Sequence, residues 1–184
     1  MSRLGVIAEN ESDVDAFKVL VGRIVPKLGV KRRSANGCGK LVKKAPTWMQ
    51  ELADSRCSGV VLLHDLDKNH EPTLLATLNA IPVPKGIQRF ICIPAEELEA
   101  WFWADTKVLS AIGRKTVQAH PSPHLVRSPK EALQKLSADA GGRPRYSEND
   151  NAKYAAQLDL DMCAQRCRSF ADLRQFLVTF ASAT

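Results

Sequence analysis

The chain has 184 residues, 26 Lys and Arg against 20 Asp and Glu, and a formal net charge of +6. Such a length buries roughly 70% of its unfolded surface, enough for one ordinary domain with or without a small appendage. An apolar share of 45% and a charged share of 25% exclude a disordered or fibrous chain.

The longest apolar runs, such as residues 59–63, hold five residues, far short of the ~20 apolar residues a membrane helix needs. The opening Met1-Ser-Arg-Leu-Gly-Val-Ile-Ala-Glu9 meets a carboxylate too early for a signal-peptide core. The expectation is a soluble, cytoplasmic protein with no membrane partner. The five cysteines (38, 57, 92, 163 and 167) form no Cys-x-x-Cys pair and read as ordinary thiols. Cys163 and Cys167 can share a helix face, but without further ligands they make a poor zinc site.

In chain order, residues 3–8 read as a buried strand that ends at the acidic Glu9-Asn-Glu11. Ser12 with Asp15 three positions on suggests a capping box. Val14, Phe17, Leu20, Val21, Ile24 and Leu28 then share a helical face that Gly29 ends. Val30 opens a short strand. From 27 to 44 the chain carries seven basic residues and no acid, around a loop expected at 34–40. Pro46 suits a first helical turn, with Trp48, Met49, Leu52 and Ala53 inward. Residues 59–63 are apolar at every position, as in a parallel sheet covered on both faces, and run into His64-Asp65-Leu66-Asp67. A helix at 71–80, a strand at 87–94 and a helix at 96–104 follow. This alternation predicts an α/β parallel sheet over 1–111. Residues 113–128 read as a loop bearing Pro and His, with helices at 129–136, 151–159 and 169–180. Residues 112–184 are therefore expected to form a loop and helical annex packed on the same domain.

The acids fall at three strand ends: Glu9, then Asp65 and Asp67, then the glutamates at 96, 97 and 99. Parallel sheets bind ligands at that edge. Asp65 and Asp67, two apart on extended chain, would share a face. Carboxylates ~4 Å apart repel by about 4 kcal/mol at an effective dielectric near 20, and a cation removes that cost. Oxygen-only ligands favour Mg²⁺ or Mn²⁺ over zinc. The simpler alternative is that Asp65 and Asp67 cap the next helix while the glutamates are solvated. Lys31, Arg32, Arg33, Lys40, Lys43 and Lys44 are candidate contacts for a nucleic-acid backbone. Gly37-Cys-Gly39-Lys40 is not a Walker loop, since Ser34 and Leu41 stand where Gly and Ser/Thr belong. Trp101 and Trp103 read as core residues, and His120 and His124 as loop histidines.

Three segments carry a family resemblance. Ile7-Ala-Glu9-Asn-Glu11-Ser-Asp13 resembles the Glu-Gly-Glu-x-Asp opening of the Toprim domain. Val60-Val-Leu-Leu-His-Asp65-Leu-Asp67 is similar to its Asp-x-Asp strand. Ile93-Pro-Ala-Glu-Glu-Leu-Glu99-Ala-Trp-Phe-Trp-Ala-Asp105 resembles the Glu-x-Trp segment of compact prokaryotic Toprim-like proteins. Those proteins are grouped as a domain of unknown function (4276 type) and related to OLD-type nucleases. The resemblance implies a Toprim-like Rossmannoid sheet and metal-dependent phosphodiester chemistry on nucleic acid. Glu9, Asp65, Asp67 and Glu99 would be the catalytic acids. The same four with Glu96 would hold Mg²⁺ or Mn²⁺, and Lys153 would assist a phosphate. It also implies a role in prokaryotic defence beside a separately encoded ATPase. One departure is Asn10 where the pattern has Gly; Asn tolerates a positive φ best among the other residues. The competing readings are a non-catalytic Toprim-like module that binds nucleic acid or an ATPase partner, and a small-molecule phosphohydrolase.

Overall fold

The computed structural model describes residues 3–35 and 39–183. Four strands, β1 (Arg3–Ala8), β2 (Gly29–Ser34), β3 (Gly59–Leu63) and β4 (Gln88–Cys92), form one parallel sheet in the order β2-β1-β3-β4. Eight α-helices accompany them among the described residues: α1 (Glu11–Ile24), α2 (Lys40–Asp54), α3 (Glu71–Asn79), α4 (Thr106–Gly113), α5 (Pro129–Leu136), α6 (Asn151–Ala155), α7 (Leu160–Arg166) and α8 (Arg168–Ser182). This is a Rossmann-like α/β fold. No helix among the described residues is long and apolar enough to cross a membrane.

Both parities of β1 and β3 are apolar because each faces a different helical layer. Leu4, Val6 and Ala8 join Val61 and Leu63 against α1 and the C-terminal helices. Ile7, Val60 and Leu62 join Leu41, Met49, Leu52 and Leu74 from α2 and α3 on the other face. The close approach explains Gly5, where a Cβ would stand 2.7 Å from Leu52 Cδ1, and Gly59, where it would stand 2.5 Å from the Phe180 ring. Phe170, Leu173, Leu177 and Phe180 of α8 lie in the same cluster as β1 and β3, so residues 112–184 share a continuous core with the sheet.

Several expected boundaries move. α1 begins at the N-cap Asn10 rather than Ser12, and Asn10 is extended (φ −124°), so nothing at this turn requires glycine. The helix ends at Ile24, five residues before Gly29, because Val25 precedes Pro26 and is pushed out of helical geometry (φ −136°, ψ 84°). Pro46 lies inside α2: the stripe Leu41, Ala45, Met49 and Leu52 is buried on both sides of the proline and carries the helix across it. The 96–104 helix is a 3₁₀ segment, Leu98–Ala104. The expected helix at 151–159 closes at Ala155, and Asp159 caps α7 by accepting from the N–H groups of Asp161 and Met162. The core of the expected loop, 36–38, and Cys38 lie outside the described residues. The other four cysteines are free and buried.

Candidate metal centre

The C-terminal edge of the sheet is built by three chain reversals. β1 runs directly into Glu9, which is 4% exposed, and the first turn of α1 adds Asp13, 5% exposed. Beyond β3 the ladder to the β4 side continues through His64 N–H to Cys92 O (3.1 Å), Leu66 N–H to Pro94 O (3.1 Å) and Asp67 N–H to Glu96 O (2.7 Å). Asp67 and Glu96 both take left-handed backbone, φ 48° and 59°, which is costly for non-glycine residues and concentrates at functional sites. Asp65 lies where the chain still pairs with the β4 side, and Asp67 takes left-handed backbone, so the chain turns at Asp67 itself. Asp65 Oδ1 accepts the Leu98 N–H at 3.0 Å, tying this turn to the 3₁₀ segment that carries the buried Glu99.

The side chains form one electrostatic unit. Burial, and then the charges of Asp13, Glu99, Glu9 and Asp67, hold the Asp65 carboxyl well above the usual range. Burial pushes Asp13 up to about 7, reinforced by Glu99, Glu148 and Glu9 and opposed by a hydrogen bond with the Asn10 side chain. Glu99 is raised by burial against the opposing hydrogen bond from Asn151, and Asp67 by burial and Glu9 against His64 and Lys130. A histidine and a lysine face this charge. His64, 5% exposed, sets Nε2 2.8 Å from Glu9 Oε1 and Nδ1 2.7 Å from Asp65 O. Both ring nitrogens face oxygens, which suits the doubly protonated ring. Burial works against that charge, but the contacts with Glu9 and the Asp65 carbonyl outweigh it and raise the pKa. Lys130 stands 3.5 Å from both Glu97 and Glu148; burial is again outweighed, here by Glu97, Glu99 and Glu148.

The structure thus sets Asp65 among the charges of Glu9, Asp67 and Glu99, and Glu9 against Asp67, while Glu96 reaches Asp67 through its carbonyl and its charge. Among the described residues, no three His, Cys, Asp or Glu side chains stand close enough to hold a metal ion as they are. The donor set nevertheless fits a hard divalent cation. Glu9 Oε1 is a buried carboxylate oxygen paired with the His64 ring at 2.8 Å. Carboxylates buried together in this number need further positive charge, and oxygen ligands at this density suit Mg²⁺ or Mn²⁺.

The basic residues are divided. Strand alternation sends Arg32 to Asp15 (2.7 Å) and Glu11 (3.8 Å) on α1, and Arg33 to Glu51 (2.8 Å) on α2. Lys31 is exposed on β2; Lys40, Lys43 and Lys44 are exposed on the first turns of α2, with Lys44 Nζ 5.3 Å from the Trp48 ring centre. Lys153 is exposed on α6 over Tyr154. Trp101 is core, its Nε1–H donating to Ser169 Oγ, and Trp103 donates to Pro129 O. Sequence reasoning misses Asp13, His64, Lys130, Tyr146 and Asn151. A signal for Asp13 exists, since it falls on the inner face of α1 with Ala16, Phe17 and Leu20.

Fold and edge together define a Rossmann-like α/β protein with a buried acidic centre at the C-terminal ends of its strands. Residues 12–178 match the family described as Domain of unknown function (DUF4276), and the chain belongs to that family. No curated protein and no solved structure matches it.

Proposed function

We propose that this protein is a Mg²⁺- or Mn²⁺-dependent phosphodiester hydrolase acting on nucleic acid, a Toprim-like nuclease. The observation that carries the reading is the convergence of Glu9, Asp13, Asp65, Asp67 and Glu99 at one sheet edge, with Glu9, Asp13 and Glu99 buried. Glu9, Asp65, Asp67 and Glu99 would hold the cation, with Asp13 beside them and Glu96 at the rim. A divalent ion bound there polarises phosphoryl oxygens and eases ionisation of the attacking water. His64 holds Glu9 in place through the 2.8 Å contact. Lys130, half-buried beside the acids, offers a positive charge to a phosphate. Lys40, Lys43 and Lys44 supply non-specific backbone contacts further out.

The sequence resemblance also supports a role as the effector of a prokaryotic defence system with a separately encoded ATPase. The test is degradation of single- and double-stranded DNA and RNA with Mg²⁺ or Mn²⁺, against an EDTA control. Turnover that depends on the metal supports the reading, and its absence on all substrates overturns it. One observation favours the second reading, a non-catalytic module binding nucleic acid or an ATPase: no three of these side chains stand in metal-holding geometry as they are. That module would bind nucleic acid in a salt-sensitive manner without turnover.

A further inference from the structure

Glu99 is the acid farthest along the chain from the strands it serves, and a long side chain in a 3₁₀ segment needs its carboxylate fixed. Its fixing comes from the C-terminal part of the chain. Asn151 Nδ2 donates to Glu99 Oε1 at 3.0 Å, and the Tyr146 hydroxyl lies 3.3 Å from the same oxygen. Tyr146 O–H also meets Asn151 Oδ1 at 2.5 Å. These contacts fix the amide orientation: a flipped Asn151 would set its oxygen against the Glu99 carboxylate and its NH₂ where the phenol proton points. Asn151 is fully buried and Tyr146 is 2% exposed. The backbone behind them is anchored as well, because Ser137 Oγ accepts the N–H of Tyr146 at 2.9 Å and of Arg145 at 3.2 Å.

A fully buried polar chain of this kind is expensive unless every member is satisfied. An apolar pair at 146 and 151 would fill the same core without that cost. What the polar pair adds is one defined placement for Glu99. We infer that Tyr146 and Asn151 are positioning residues for the metal centre, orienting Glu99 as a ligand, so that residues 112–184 are part of the site and not an accessory to it. This inference rests on the metal-dependent reading above.

The experiment measures Mn²⁺ affinity of the full chain by calorimetry and EPR, with thermal denaturation alongside, for wild type, Tyr146→Phe, Asn151→Leu and Ser110→Ala. Tyr146→Phe keeps the ring that packs on Tyr154 and removes only the hydroxyl. Ser110→Ala deletes a side-chain bond to Val117 in the same half of the molecule and serves as the structural control. Removal of ligand-orienting partners costs about 10- to 100-fold in metal affinity, so Tyr146→Phe and Asn151→Leu should weaken Mn²⁺ binding by that factor. Tyr146→Phe leaves the buried Asn151 Oδ1 without its donor and so should lower Tm as Ser110→Ala does, but only Ser110→Ala should leave affinity unchanged. If wild type binds Mn²⁺ and Tyr146→Phe binds it within about two-fold of wild type, against the loss expected on removing such a partner, the positioning role is wrong and the metal reading stands. If wild type binds no Mn²⁺, the reading falls and the inference with it.

Discussion

The Asp67 N–H donates to the Glu96 carbonyl over 2.7 Å, and both residues hold left-handed backbone, at φ 48° and 59°. Two strained turns are thus clamped to each other where the chain leaves β3 and β4. The clamp sets the loop that presents Asp67 against the loop that leads to Glu99.

Left-handed backbone costs a non-glycine residue about 1–2 kcal/mol, so the strain can be measured by difference. Glu96→Gly should be more stable than Glu96→Ala by about 1 kcal/mol, since only Gly adopts this φ freely. Chemical denaturation of the two variants checks this. Equal stabilities would mean that position 96 is relaxed.

Asp65 and Asp67 each add charge to a crowded site, and Asp65 Oδ1 also accepts the Leu98 N–H. Asn keeps that acceptor and removes the charge. Asp65→Asn and Asp67→Asn should each abolish metal-dependent cleavage, a loss of at least about 100-fold for removing a group that places the catalytic cation. Tm should be equal or higher. Retained Mg²⁺-dependent cleavage in both variants would contradict the site.

In the metal-free chain, Asp13 keeps its proton to about pH 7, whereas its ordinary value is 3.8. The folded chain therefore holds a proton that the unfolded chain releases between those values. Its contribution to stability is complete below pH 4 and is lost as pH rises through 7. The raised Asp65, Asp67, Glu99 and His64 act with the same sign. Stability measured by urea titration should fall from pH 4 to pH 8. Asp13→Asn should flatten that slope and stabilise the metal-free protein at pH 8 by about 1–3 kcal/mol, the cost of a buried group without a partner. A flat wild-type profile would refute it.

Of the basic residues, Arg32 and Arg33 are already paired within the chain, while Lys40, Lys43 and Lys44 are exposed. Replacing those three lysines with Gln should reduce the salt slope of duplex DNA binding by about 2–3, near 0.9 per lost phosphate contact. Arg32→Gln should change it little. An unchanged slope in the triple variant would place the nucleic acid elsewhere.

The central strands were legible in the sequence because β1 is largely apolar and β3 is apolar at every position, whereas β2, Gly-Val-Lys-Arg-Arg-Ser, left only Val30 as a signal. Burial on both faces leaves that signature. Glu9, Asp65, Asp67 and Glu99 were legible for a related reason, since topology alone sends parallel strand ends to one edge. Helix limits at Ile24 and Lys40 were not. The first is decided by a proline two residues on; the second by an apolar stripe that outweighs the break at Pro46. Asn151 and Tyr146 lie 52 and 47 residues from Glu99, and no local pattern announces contacts over that distance. His64 was visible in the sequence, but its role depends on Glu9, which only the β1–β3 register brings beside it.

The central claim is that the acids at this edge share a divalent cation. Crystals grown at pH 8 and soaked in Mn²⁺ test it most directly through anomalous scattering. The account predicts a peak coordinated by Glu9 and Asp65 with Asp67 or Glu99. A well-occupied map with no peak there, or with Mn²⁺ bound only at other residues, would contradict it.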